Sequence, residues 1–239
     1  MHQVAAGSGW MEERLATRLR SLRFAKRRNE SRLGRWTAKQ TIALATGVEP
    51  CAPALRDIHV INAADGAPEA LYLNTPLDAV IAMTDRADWA VCAILAGTTR
   101  IGCDLELVEP RSAGFRRDYL TPAEQRRVEA SGDVPLFANL VWSAKESALK
   151  VLRTGLRRDT RSVEVTLEDG ADGGWAPLVV QDLEGDAFPG WWLRSGSFVL
   201  TIVAQRQTPP PVSLTEPSPL AVAEPAHAWM DDPRATADF

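Results

Sequence analysis

The sequence predicts an α/β protein of the α+β kind, built from two similar helix-plus-sheet subdomains. Three observations predict it. Helical and then strand-like segments follow one another twice along the chain, a short helical sequence around Trp36 recurs around Trp142, and the composition changes at about Thr208.

Glu12 to Ala45 is the first helical segment, with Leu15, Leu19, Leu22, Leu33, Trp36, Ile42 and Leu44 as apolar positions separated by Arg and Lys; it reads as two or three helices. A Pro- and Ala-rich connection follows Gly47. Short strand-like runs come next, at Ile58 to Asn62, Ala79 to Met83, Trp89 to Leu95 and Arg100 to Val108, punctuated by Gly, Asp and Thr. The order then repeats: a charged helical stretch from Thr121 to Arg127, a stronger helix from Leu136 to Arg153, and strands near Val163 to Leu167, Leu178 to Asp182, Trp191 to Leu193 and Phe198 to Ala204.

The two halves also match locally. Trp36-Thr37-Ala38-Lys39-Gln40 parallels Trp142-Ser143-Ala144-Lys145-Glu146, and each is followed by a Thr-Gly pair, Thr46-Gly47 and Thr154-Gly155. Internal duplication explains this, and so does chance similarity between amphipathic helices. The expected division is residues 11–99, then 100–207, then a Pro-rich tail over 208–239. Seven of the 16 prolines lie between Pro209 and Pro233, and a segment so poor in apolar side chains reads as disordered.

The 239 residues, 45% hydrophobic and 24% charged, suffice for a sizeable core. A net charge of −4 gives no global reason to expect nucleic-acid binding. No apolar run approaches the roughly 20 residues that span a bilayer, and Met1 to Trp10 lacks the basic start and apolar stretch of a signal peptide. The expectation is a cytoplasmic protein, monomeric and away from membranes. Cys51, Cys92 and Cys103 form neither a disulfide framework nor a zinc pattern and read as reduced core residues. His59, in an apolar run, reads as structural.

Ile101-Gly102-Cys103-Asp104-Leu105-Glu106-Leu107 alternates strictly. On a strand, Asp104 and Glu106 share a face with Gly102 while the apolar residues face the core. On the following helix, Trp142, Glu146 and Lys150 fall four residues apart, with Lys145 on their flank. Each pattern alone also reads as an ordinary solvated face. Three carboxylates converging on one place would repel unless a cation joined them. An all-oxygen set suits magnesium, which commonly completes its shell with water and substrate phosphates, so the implied substrate contains a pyrophosphate.

Together, Gly102 to Glu106 and Trp142 to Lys150 resemble the two signature motifs of the 4'-phosphopantetheinyl transferase superfamily, G-x-D-x-E and then W-S-x-K-E-x-x-x-K. The likeness extends over most of Leu22 to Arg206 and is closest to the larger, single-chain type associated with polyketide and nonribosomal peptide synthases. The resemblance implies two subdomains related by pseudo-twofold symmetry. It also implies transfer of 4'-phosphopantetheine from coenzyme A to a serine of an apo acyl or peptidyl carrier protein, a holo-acyl-carrier-protein synthase activity. By position, Asp104, Glu106 and Glu146 would bind magnesium, for which manganese can substitute. Lys150 would contact the phosphate and help protonate the leaving group, and Glu146 is the candidate general base. Asp104, Glu146 and Lys150 are thus the expected catalytic set.

Arg28, Arg35, Arg86, Lys145 and Lys150 are the expected coenzyme-binding residues. Lys26-Arg27-Arg28 with Gly34-Arg35 and Lys39 resembles the family's coenzyme segment, and arginine suits phosphate because its planar fork binds bidentately. Two departures stand out. Thr84-Asp85-Arg86 replaces a common serine-histidine-serine, which suggests Arg86 as the replacement positive charge. Ala67 stands in Gly66-Ala67-Pro68 where relatives often carry lysine. Arg111, Arg116, Arg117, Arg126 and Arg127 with Phe115, Tyr119 and Leu120 read equally as a docking surface for an acidic carrier or as a mobile loop. Two rival readings are a non-catalytic coenzyme A or carrier-binding homologue and a nucleic-acid module on Arg14 to Arg35. The carboxylate set argues against both.

Overall fold

The computed structural model describes residues 4, 7–168, 174–215 and 218–225. Two helices open the chain, α1 (Glu13–Ser21) and α2 (Ala25–Ala45), then a short α3 (Ala52–Asp57). An antiparallel sheet follows of β1 (Ile58–Asn62), β2 (Pro68–Tyr72) and β3 (Thr75–Pro76), and then a hairpin of β4 (Ala79–Arg86) and β5 (Trp89–Ala96). The apolar faces of α1 and α2, Leu15, Leu19, Ala38 and Ile42, close over Leu55, Ile58, Val60 and Ile81 to form the first core.

The second half begins with β6 (Ile101–Leu107). Three helices follow, α4 (Ala113–Tyr119), α5 (Pro122–Ala130) and α6 (Val134–Val151), and then β7 (Val163–Leu167), β8 (Ala176–Asp182), β9 (Ala187–Ser195) and β10 (Phe198–Ala204). The strands make one antiparallel sheet in the order β6-β10-β9-β8-β7. The sequence sets the helix starts. Thr121 and Glu124 form a reciprocal capping box on α5, and Asp133 accepts from the Leu136 amide at the head of α6. Val141, Ala144 and Ala148 of α6 pack on Val163, Val165, Leu178 and Val180 of the sheet. Each such aliphatic side chain taken from water contributes roughly 1.5–3 kcal/mol.

Where the two halves meet, Ala82, Val80, Ala93 and Leu95 of the hairpin pack on Ile101, Cys103, Ile202 and Ala204. The apolar face of β6 therefore backs onto the first half, and its polar face is left to α6.

The repeated helical sequence has a structural counterpart. Lys39 of α2 and Lys145 of α6 are both fully buried. Lys39 donates to the carbonyls of Trp10 and Leu55 and pairs with Glu12. Lys145 donates to the carbonyls of Thr160 and Val163 and pairs with Glu124 at 2.7 Å. Each lysine ties its helix to the segment that enters the next strand along the chain, β1 for Lys39 and β7 for Lys145.

Two expectations are corrected. Part of the tail is packed: Pro219–Val222 forms a 3-10 turn, and Leu220 and Ala223 are buried against Ala87, Leu105, Leu107 and Phe198 because they fill an apolar patch that those strands leave open. Residues 216–217 and 226–239 lie outside the described residues. Cys51 is exposed rather than a core residue, whereas the buried Cys103 thiol is pushed up to about 11, chiefly by burial. Among the described residues no helix is long and apolar enough to cross a membrane.

Candidate active site

The site lies where α6 crosses the polar face of β6. Gly102 makes that crossing close: a Cβ there would stand 2.0 Å from the Ser147 carbonyl oxygen and 2.9 Å from Lys150 Cβ. The helix is fixed to the strand by Ser143, whose hydroxyl donates to the Asp104 carbonyl at 3.0 Å, and by Lys150, which donates to the Cys103 carbonyl at 2.7 Å. Glycine at the head of the strand motif thus sets how near the helix carboxylate can come to the strand carboxylates.

Asp104, Glu106 and Glu146 lie near enough for their charges to act on one another. Asp104 is 8% exposed. Its Oδ1 accepts from Lys150 Nζ at 2.9 Å and from Thr84 at 3.3 Å, while Oδ2 is buried without a hydrogen-bond partner. Glu146 is half-buried, and its Oε1 is likewise buried and without a partner. Glu106 Oε1 accepts from the Trp142 indole at 2.9 Å, and its Oε2 lies 2.8 Å from Arg111 Nη2 and 3.3 Å from Arg86 Nε.

The electrostatics follow from that crowding. Burial pushes the Glu146 carboxyl up to about 7, Asp104 and Glu106 push it further, and Lys150 opposes them. Glu106 is raised by burial first and by Asp104 next, against Arg111 and Arg86. For Lys150, burial disfavours the charge, but Asp104, Cys103 and Glu146 outweigh it and raise its pKa. Among the described residues no three His, Cys, Asp or Glu side chains are disposed to hold a metal ion as they stand. The donor set nevertheless suits a hard cation. Two carboxylate oxygens at close quarters are buried and unsatisfied, which costs free energy unless a cation or a proton meets them.

Of the five expected coenzyme-binding residues, only Lys150 lines the cavity of about 310 Å³ beside this site. Lys145 is in the interior, held by Glu124 and two carbonyls, because a buried ammonium must be fully paired. Arg35 is buried and donates to the Val60 carbonyl and to Asn62. Arg28 donates to the Leu22 carbonyl. Arg86 turns to Glu109, at 2.6 Å, and Glu106. These four arginine and lysine side chains are drawn to nearer acceptors within the protein.

The positive charge around the cavity comes from residues that the sequence reading missed: Arg100, Arg153 and Arg157. The last two directly follow the helix motif, in Lys150-Val151-Leu152-Arg153-Thr154-Gly155-Leu156-Arg157, and that cluster was the available signal. Arg153 has φ of 59° and pairs with Asp65 across the cavity at 2.9 Å. The proposed docking set also divides. Leu120 and Arg111 are buried, and Phe115 and Tyr119 stack edge-on around Trp142, whereas Arg117 is exposed.

A sequence model of the 4'-phosphopantetheinyl transferase superfamily matches residues 100–203, from the residue before β6 to the last but one residue of β10. No curated protein matches the chain.

Proposed function

We propose, from the match of residues 100–203 to a sequence model of the 4'-phosphopantetheinyl transferase superfamily, that this chain transfers the phosphopantetheine arm of coenzyme A to a serine hydroxyl of an apo carrier protein. The observation that supports this reading best is the pair of unsatisfied buried oxygens, Asp104 Oδ2 and Glu146 Oε1, beside Lys150 at a cavity rimmed by Arg100, Arg153 and Arg157. A cation would complete the first feature and a polyphosphate the second.

The carboxylate set of Asp104, Glu106 and Glu146 would hold magnesium, or manganese in its place. Such an ion, when bound, supplies charge neutralisation at a pyrophosphate. The chain's own residues account for the rest. Glu146 takes the proton of the serine hydroxyl as its oxygen attacks the phosphorus that bears the pantetheine arm. The bond from that phosphorus to the bridging oxygen breaks, and adenosine 3',5'-bisphosphate leaves. Lys150 neutralises the charge developing on the departing phosphate and can give it a proton. Arg100, Arg153 and Arg157 would hold the nucleotide end, in place of Arg28, Arg35, Arg86 and Lys145. Carrier domains of polyketide and nonribosomal peptide synthases are the acceptors to try first.

The test is intact-mass analysis of apo carrier proteins incubated with this protein, magnesium and coenzyme A, beside a Glu146→Gln control. Gain of the phosphopantetheine mass, lost in the control, is the expected result. No gain with several carrier types overturns transfer and favours a coenzyme A or carrier-binding protein.

A further inference from the structure

Helices α2 and α6 end in the same way on different residues. Each closes on a residue in the left-handed region, Gly47 with φ of 72° and Arg153 with φ of 59°. Each of these follows its buried lysine, Lys39 or Lys145, at the same spacing. The next amide reaches back into the last turn, Val48 to the Ala43 carbonyl at 2.8 Å and Thr154 to the Leu149 carbonyl at 3.1 Å. Glycine is the residue this closure favours, because a Cβ there crowds the backbone. The arginine of the second half therefore costs the fold something that Gly47 does not. Its guanidinium lies across the cavity, with Nη1 donating to Asp65 Oδ2 at 2.9 Å, and both residues line that cavity. Asp65 belongs to the turn between β1 and β2, where its Oδ1 accepts from the Ala67 amide at 3.0 Å. That amide first and Arg153 next hold its carboxyl below the usual range.

The Arg153 and Asp65 side chains are 36% and 34% exposed. An ion pair so open to water stabilises a fold little, less than left-handed backbone costs a residue other than glycine. Pairing with Asp65 alone thus does not account for an arginine at this position, whereas a ligand in the cavity does. We infer that Asp65 is a built-in competitor for Arg153: in the empty protein it holds the guanidinium across the cavity, and a phosphate at the nucleotide end of coenzyme A takes Arg153 from it. The inference rests on the coenzyme A reading above and deepens it, by naming the contact that is exchanged when the nucleotide enters. A phosphate can displace the carboxylate because it accepts from the planar guanidinium fork bidentately and carries more charge. Asp65 keeps its Ala67 amide and turns to water, so the exchange strands no buried charge. Lys150, one turn earlier on α6, lines the same cavity but is committed to Asp104 and the Cys103 carbonyl.

The test is calorimetry of coenzyme A, with magnesium present, on the whole protein and on single and double variants. Arg153→Gly should raise the Kd for coenzyme A about tenfold or more, as a charge-assisted phosphate contact is lost. The same change should raise the Tm of the unliganded protein by about 1–4 °C, because glycine relieves the backbone. Asp65→Asn keeps an acceptor for the Ala67 amide and should lower the Kd about threefold or more. Made in the Arg153→Gly protein, Asp65→Asn should leave the Kd within about twofold, since no guanidinium remains to be released. A gain that persists there marks Asp65 as a general negative charge near the cavity and overturns the inference. So does an Asp65→Asn protein that binds no tighter than the parent, or an Arg153→Gly protein that loses Tm and keeps its affinity, the outcome expected of a brace between the halves. A parent that binds no coenzyme A defeats the coenzyme reading and the inference together. A parent that binds it, with no tightening in Asp65→Asn, defeats the inference alone.

Discussion

The ends of α2 and α6 carry nearly the same five residues in nearly the same setting, yet they differ in what they face. In both, a buried lysine joins the helix to the chain entering a sheet, through two carbonyls and a glutamate. The next position is Gln40 in the first half and Glu146 in the second. The lysine therefore belongs to the architecture that the halves share, and the acid belongs to the chemistry of one of them. A strand carrying two carboxylates lies only beside α6, so only there would a third carboxylate gain from a cation.

The largest effect that could break this comparison is loss of the second lysine. Lys145→Met strands a fully buried Glu124, which should cost about 3–5 kcal/mol in urea unfolding. Lys39→Met should cost less, about 1–3 kcal/mol, because the Glu12 side chain is 13% exposed and can turn to water. Equal losses would mean that the two clamps do not differ in depth.

Two glycines sharpen the contrast further. Gly102→Ala drives a methyl into the Ser147 carbonyl and should cost about 3 kcal/mol, with loss of transfer as helix and strand separate. Gly34, on α2, would place its new Cβ 3.8 Å from the flexible end of Met83. Gly34→Ala should be neutral or stabilising by up to about 1 kcal/mol in the same assay.

Activity comes next. Glu146→Gln is expected to lower the transfer rate by roughly 100-fold or more, the scale of a lost general base, while Gln40→Glu should leave it unchanged. Acid at either position mattering equally would sink the idea that the halves have diverged in function.

The smallest effect is on the pH dependence of stability. Glu146 rises from 4.5 to about 7 on folding without metal. Between those values the folded protein holds a proton that the unfolded chain releases, so stability falls as pH rises through that window. With metal chelated, the Tm should drop between pH 5 and pH 8 by a few degrees more in the parent than in Glu146→Gln, and added magnesium should restore it at pH 8.

Much of the fold was legible because burial and period agree. β1, β7 and β10 fall where the apolar alternation puts them, and α6 follows a strong stripe. β2 escaped notice because it begins at Pro68 and buries only Ala70, so its alternation is faint. α4 has no buried residue at all, and its one signal is Ser112, which caps it by accepting from the Phe115 amide. At the site, the carboxylates were readable as a strand face and a helix face that must meet. The cations were not: Lys145, Arg35 and Arg86 are held by Glu124, Val60 and Glu109, and a partner distant in the chain leaves no periodic mark near the residue it captures.

The turn at Pro219–Val222 has a consequence for how the chain is made. Leu220 and Ala223 close the apolar face that Leu105, Leu107 and Phe198 present behind the carboxylate strand. On the ribosome that face is covered only in part, by neighbours such as Ala87, Trp89 and Val91, until those late residues clear the exit tunnel. The interval is one in which a chaperone can hold the nascent chain, and release from it coincides with the back of the carboxylate strand being sealed.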